Sequence, residues 1–331
     1  MAEIFLFDLD REKLTPFLMK PYRDFDGEMK RQFGKKLYRL SLNGGLGCPN
    51  REGGFGGGGC IFCSGGGSGD FAAEKERSVA EQLEEAKALV AGKLPKRMPY
   101  GYVAYFQAYT GTYGPVPKLK AMFSEAMEDR EVEVLSIATR PDCLPGETVE
   151  LLAGLSRRKP VWVELGLQTV IPETAAFIRR GYSLSCFTEA RKRLSEAGIP
   201  VIAHVILGLP GEGKEEVLKT VDYLNDQQVE GVKLQLLHIL EGTDLAALYR
   251  EGKIHVLSFE EYEELLFAAL MRLRSETVVH RITGDGPKQL LLAPLWSGDK
   301  KRVFNRLHQD MREQGVYQGK KVKHLKEEGK S

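Results

Sequence analysis

Residues 42–70 read L-N-G-G-L-G-C-P-N-R-E-G-G-F-G-G-G-G-C-I-F-C-S-G-G-G-S-G-D. They hold three of the chain's five cysteines, Cys48, Cys60 and Cys63, spaced C-x11-C-x2-C. Glycine is denser here than a helix or strand tolerates; it opens φ > 0 and leaves room for a bulky guest. Soft thiolates select iron–sulfur, zinc or Cu(I). Structural zinc takes four protein ligands, and no fourth Cys or His lies nearby in the sequence. A [4Fe–4S] cluster ordinarily takes one cysteine per iron. Three cysteines leave one iron open to a substrate or cofactor.

That arrangement suits radical S-adenosylmethionine (SAM) chemistry, in which the open iron holds SAM and an electron from the cluster breaks its S–C5′ bond. The motif C-P-N-R-E-G-x-x-G-x-G-G-C-x-F-C resembles the radical SAM subfamily that includes the YhcC/YtqA-type proteins and the catalytic subunit of Elongator. The first cysteine gap is longer than the commonest C-x3-C-x2-C, as in that subfamily, and Phe62 precedes the last cysteine. The resemblance runs over residues 15–320. It implies a [4Fe–4S] cluster on Cys48, Cys60 and Cys63, SAM on the fourth iron, and an electron donor such as flavodoxin or ferredoxin.

A chain of 331 residues fits one α/β barrel with additions, or two domains. The net charge of +1 gives no global pointer to nucleic acid or membrane. Five cysteines, an odd number, do not suggest a disulfide framework. There is no N-terminal h-region and no apolar run long enough to span a membrane. The expectation is a soluble cytoplasmic protein.

The alternating Y-R-L-S-L-N, Tyr38–Asn43, reads as the first strand. The cysteine loop follows it directly. Strands are expected at 101–107, 132–138, 161–167, 201–207 and 231–237. Helices are expected at 78–91, 116–127, 148–156, 173–179, 186–197 and 215–226. Six strands alternating with helices argue for a parallel sheet with right-handed crossovers. The expected fold class is α/β: a partial (β/α)6 TIM-like barrel, the radical SAM fold, with a C-terminal α/β extension. Expected divisions are an N-terminal extension (1–37), the barrel (38–243) with its cluster loop (43–69), a substrate-side extension (244–318) and a basic tail (319–331). The barrel pattern stops after Thr243; a helix at 259–273 and a strand with glycine turn at 278–287 follow.

Active sites of such barrels sit at the C-terminal strand ends. The second strand ends in F-Q-A-Y-T-G-T-Y, and Gln107, Tyr109 and Thr110 match the subfamily's Q-A-Y-T, offering polar groups to the SAM ammonium. The third ends in T-R-P-D, where Arg140 presents a planar fork for a carboxylate and Asp142 steadies it. On the fourth, V-E-L-G-L-Q-T, the resemblance makes Glu164 and Gln168 candidates for the methionyl amine and ribose hydroxyls; a structural salt bridge is the alternative for Glu164. In I-R-R-G-Y, Arg180 is the candidate for the SAM carboxylate, while Tyr182 stands where the family often has His. In I-L-G-L-P-G-E, Gly208 lets backbone approach adenine. His204 is either a pocket group or a hydrogen-bonded core residue.

Lys233, Gln235 and His238 are substrate-side candidates, with alternation placing Lys233, Gln235 and Leu237 on one face and His238 on the other. His280, Arg281 and Asp285, in a segment similar to the family's R-x-T-G-D, join them. Basic residues exceed acidic ones seven to three over 20–40 and ten to five over 298–331. Both stretches suit an RNA backbone, or are simply solvated. Relatives with this cysteine pattern act on the wobble uridine of tRNA. The leading expectation is therefore a radical step on its C5 side chain, with tRNA as partner. Nothing in the chain resembles the acetyltransferase domain of the Elongator subunit. The alternatives are a radical enzyme for a small metabolite and, from another class, a non-catalytic iron–sulfur sensor or RNA-binding protein.

Overall fold

The computed structural model describes residues 20–53, 58–67, 69–70, 72–284 and 286–322. Asp285 and residues 323–331 of the expected basic tail lie outside the described residues. The strands are β1 (Lys36–Leu42), β2 (Tyr100–Phe106), β3 (Val132–Thr139), β4 (Val161–Gln168), β5 (Val201–Leu207), β6 (Gly231–Leu236), β7 (Ile239–Leu240), β8 (Val278–Arg281) and β9 (Leu291–Ala293). The helices are α1 (Phe25–Phe33), α2 (Val79–Val90), α3 (Val116–Glu128), α4 (Gly146–Ser156), α5 (Pro172–Phe177), α6 (Leu184–Glu196), α7 (Lys214–Asp226), α8 (Asp244–Arg250), α9 (Phe259–Arg272) and α10 (Lys300–Glu313).

One seven-stranded sheet runs β1-β2-β3-β4-β5-β6-β8, every neighbouring pair parallel. It curls into a half-barrel with helices outside. The expected six strands are there; the seventh, β8, corrects the expectation that the barrel pattern ends at Thr243. Val278 and Val279 pair with Gly231 and Val232, which brings the segment read as extension into the sheet. The strand itself was expected, but it is only four residues long and lies far along the chain from its partner, so no local pattern marks its place in the sheet.

Burial follows the period of each element. α2 begins at a capping box, Ser78 with Glu81, and buries Val79, Leu83 and Ala86. α9 begins at another, Ser258 with Glu261, and buries Leu265, Leu266, Ala269 and Leu270. These faces form the main core with strand residues such as Leu40, Ala104, Leu135, Val163 and Leu207. A smaller cluster fills the inside of the barrel near the strand starts, where Met29 of α1 meets Leu37, Val103, Val134, Trp162 and Ile202. The helix α1, not anticipated in the sequence, thus plugs the lower end. Its preceding residue Asp24 bridges in parallel to Val279, extending the β8 edge.

Among the described residues, no helix is long and apolar enough to cross a membrane.

Candidate active site

The inner face of the sheet lines one cavity of about 260 Å³. Cys48, Cys60 and Cys63 all border it, directly beyond the C-terminal end of β1. Tight turns shape the thiol loop: Arg51 and Glu52 N–H donate to the Cys48 carbonyl, and Cys63 N–H donates to that of Cys60. Gly67 has φ 66°, and a Cβ there would lie 2.8 Å from the Tyr109 ring, so only glycine lets that ring approach. Asn50 Nδ2 donates to Cys60 Sγ at 3.4 Å and to the Arg179 carbonyl at 2.7 Å, tying the loop to the segment after α5. A hydrogen bond from Cys63 holds the Cys60 thiol down at about 7, against burial.

Among the described residues, two that border this cavity carry a buried polar atom with no partner: Thr110 Oγ1 and Gln168 Oε1. Gln168 and Tyr109 both have φ in the left-handed region, 63° and 53°. Such strain in non-glycine residues gathers where a structure holds side chains for a ligand. Tyr109 OH donates to the Gly65 carbonyl at 2.8 Å, and Gln107 accepts from Ser41 Oγ at 3.0 Å. Three thiols and unpartnered polar atoms on one cavity fit an iron–sulfur cluster with a polar cosubstrate against it.

Arg140 borders the cavity, but its fork is held bidentately by Asp142, at 2.9 and 2.7 Å. Its Nη1 donates to the Arg180 carbonyl at 3.0 Å. Arg180 is not brought to the cavity; it donates to the carbonyls of Leu167, Thr169 and Tyr182. Both guanidiniums lie over the Tyr182 ring, each 4.8 Å from its centroid. Gly208 also lies apart. Its φ is 86°, and a Cβ would meet Leu257 at 2.7 Å, in a small void away from the thiols. Its neighbour two residues back, Ile206, borders the cavity instead.

Deeper in, the barrel holds a polar layer. Glu164 is fully buried. It accepts from Ser136 Oγ at 2.9 Å, is hydrogen-bonded to His204 Nε2 at 2.7 Å, and pairs with Lys233 Nζ. Lys233 also donates to Tyr105 OH at 3.0 Å. Burial raises the Glu164 carboxyl, but the Lys233 and His204 contacts outweigh it and hold it well below the carboxylate range. Burial pulls Lys233 down to about 7 and His204, beside the Lys233 charge, to about 4. The Glu164 carboxylate is thus ionised, while its cationic partner sits close to losing its proton. Glu164 has the salt bridge weighed as its alternative role, and it also borders the cavity.

Gln235, His238 and Arg281 border the same cavity. The expected alternation fails at its end: β6 stops at Leu236 and the chain turns into β7, so Leu236, Leu237 and His238 all reach the cavity. His280 does not. It lies inside the barrel between β8 and α1, packed on Phe25 and Trp162 and hydrogen-bonded to Arg39. Sequence reading missed Tyr105, Ser136 and Asn50. The signal for Tyr105 was present, since period two along β2 puts it on the face of Gln107.

Residues 42–224 match the radical SAM superfamily, and residues 229–313 match the radical SAM C-terminal domain. The chain is 40% identical over 310 residues to the Bacillus subtilis protein YtqA, covering 93% of this chain and 95% of that one. It is 36% identical over 300 residues to Escherichia coli YhcC, covering 90% and 95%. A more distant relative, 27% identical over 172 residues, is the tRNA uridine(34) acetyltransferase of Methanocaldococcus jannaschii, with 51% of this chain and 31% of that one covered. Among solved structures, the archaeal Elp3 of Methanocaldococcus infernus superposes with a TM-score of 0.62 at 16% identity, covering 86% of this chain and 64% of that one, which shows a shared fold. Cysteine motif, curled parallel sheet and matched sequence converge: the chain belongs to the radical SAM superfamily, whose members bind a [4Fe–4S] cluster and SAM.

Proposed function

We propose that Cys48, Cys60 and Cys63 hold the [4Fe–4S] cluster and that SAM lies between them and β4, against Gln107, Tyr109, Thr110 and Gln168. The observation that carries this reading is the pair of unpartnered buried atoms, Thr110 Oγ1 and Gln168 Oε1, on the cavity the three thiols border. When bound, the cluster and SAM supply a carbon-centred radical after one electron arrives from a donor of the flavodoxin or ferredoxin class. The chain's own residues orient and enclose. Asn50 steadies the Cys60 thiol, Arg140 with Asp142 pins the 180–181 backbone, and the Glu164–Lys233 layer forms a polar floor.

The substrate in this reading is the C5 side chain of the tRNA wobble uridine, reached from the Gln235–His238–Arg281 side. The support is kinship with a protein named as acting on tRNA uridine 34. The test is anaerobic reconstitution with iron and sulfide, dithionite reduction, then SAM, with 5′-deoxyadenosine measured by mass spectrometry. Wild type is expected to form it and Cys60→Ala not. The nucleosides of tRNA from a strain lacking the protein then test the substrate: an altered wobble uridine supports it, and an unchanged profile sinks it. A cluster that assembles without any SAM cleavage moves the sensor reading to the front.

A further inference from the structure

α10 follows a single 3-10 turn, Leu295–Gly298, and buries only Val303, Leu307 and Met311, a four-residue repeat. Helical spacing therefore puts Lys300, Phe304, His308 and Arg312 in one row, with Lys301, Asn305 and Gln309 beside it. These seven positions contain no carboxylate. The helix's two acids are both paired: Asp310 lies 3.5 Å from Arg306, and Glu313 accepts from Gln309, itself on this face, at 2.8 Å. Asp24, which faces His308 from the N-terminal segment, is held by Lys20 at 2.5 Å.

The row also presents a ring. Phe304 is 42% exposed and lies over His308, centroids 4.1 Å apart at 32°. Tyr22 OH, hydrogen-bonded to His308 Nε2 at 2.9 Å, fixes that platform from behind. An exposed aromatic held at a set angle, among cations and side-chain amides with the nearby acids already paired, suits stacked bases on a phosphate backbone. At 1.5 Å per residue the row is about 18 Å long. Its Lys300 end follows directly on the turn at 295–298, whose Ser297 Oγ is hydrogen-bonded at 3.1 Å to His238 Nε2, and His238 borders the cavity.

We propose that this face of α10 docks single-stranded RNA, a base stacking on Phe304 and phosphates on Lys301 and Arg312, and leads the strand past Lys300 to the cavity. The inference rests on the tRNA reading above and adds where the RNA lies. It does not need the cluster to be loaded.

The test is fluorescence anisotropy on the full chain over a range of salt concentrations. The probes are unfractionated tRNA, a single-stranded oligoribonucleotide and a duplex of the same sequence. All substituted side chains are exposed, and thermal melts check that each variant is folded. Phe304→Ala is expected to weaken single-strand binding by about 5- to 100-fold with an unchanged salt slope. Lys301→Glu with Arg312→Glu is expected to weaken tRNA binding and lower the slope of log K against log salt by about two. If wild type binds tRNA and both variants bind it equally, the docking face is wrong while the tRNA reading survives. If charge reversal abolishes binding but Phe304→Ala changes nothing and duplex binds as well as single strand, the face is a general polyanion or acidic-protein surface and the proposal falls. If wild type binds no RNA even at low salt, the tRNA reading itself falls.

Discussion

Arg39 on β1 and His280 on β8 are hydrogen-bonded, Nη2 to Nδ1, at 2.8 Å, joining the two outer strands of a sheet that does not close through its backbone. Phe25 of α1 covers the contact, its ring 4.0 Å from the Arg39 guanidinium. Arg39 Nε has no partner, so the guanidinium relies on few contacts inside the barrel. His280→Ala is expected to destabilise by about 1–3 kcal/mol, because it strands a buried donor. Arg39→Leu with His280→Phe is expected to cost less than the single change, as both polar partners are removed together. Urea unfolding of wild type, His280→Ala and the double variant checks this; a double variant that loses as much stability as His280→Ala contradicts it.

Glu164 and Lys233 form the most deeply buried ion pair described here, with exposures of 0% and 2% for their side chains. Removing one partner leaves a charge inside the barrel and is expected to cost about 3–5 kcal/mol. Glu164→Gln and Lys233→Met are therefore expected to lower the melting temperature sharply, and Glu164→Leu with Lys233→Met to recover part of it. Equal losses in the single and double variants would show that the pair is not what the layer depends on.

Lys233 is pulled from 10.5 to about 7 by burial. Between those values the unfolded chain binds a proton the folded chain lacks, so this group makes stability rise with pH through that window. Below about 7 both states carry the proton and the slope from this group vanishes. NMR of lysine labelled at the ε-carbon is expected to show a resonance titrating at about 7, apart from that of Lys300, which burial lowers to about 8. The former should be missing from Lys233→Met; its persistence there would assign the shift to another lysine.

Gln168 holds a strained backbone angle and an unpartnered amide oxygen at the cavity. Gln168→Ala is expected to weaken SAM binding to the reconstituted protein by about tenfold, the worth of one net hydrogen bond of about 1–1.5 kcal/mol. Equilibrium dialysis measures this apart from turnover. Iron content should be unchanged, since the thiols are untouched; lost iron would mean the residue shapes the loop instead.

Much of this was legible in the sequence, for reasons that differ by residue. The strand at 201–207 matches its expected bounds because an apolar run interrupted only by His204, flanked by Pro200 and Gly208, leaves little choice. The three cysteines reach one cavity because their loop leaves directly from the end of β1. His280 and Arg180 were harder. Both sit in motifs that resemble functional ones, yet one donates inward to backbone carbonyls and the other faces Arg39. Which way a polar side chain turns depends on its partners in the fold, 241 positions away for His280 and across a turn for Arg180, and no local pattern carries that. The strand at β8 was expected, but its place beside β6 in the main sheet was hidden for the same reason.

The bridge between Asp24 and Val279, with Arg23 N–H accepted by Gln318 and the Arg23 carbonyl taken by Val279, has a consequence for how the molecule is made. During synthesis Asp24 emerges early, while its bridge partner Val279 emerges some 255 positions later. Contacts of such separation form slowly. Until β8 is in place, β6 lacks its outer neighbour and exposes hydrogen-bonding groups that recruit other chains. The nascent polypeptide therefore passes through a stage in which it is vulnerable to aggregation at the β6 margin, and that stage ends only when the segment from Thr277 onward has left the ribosome.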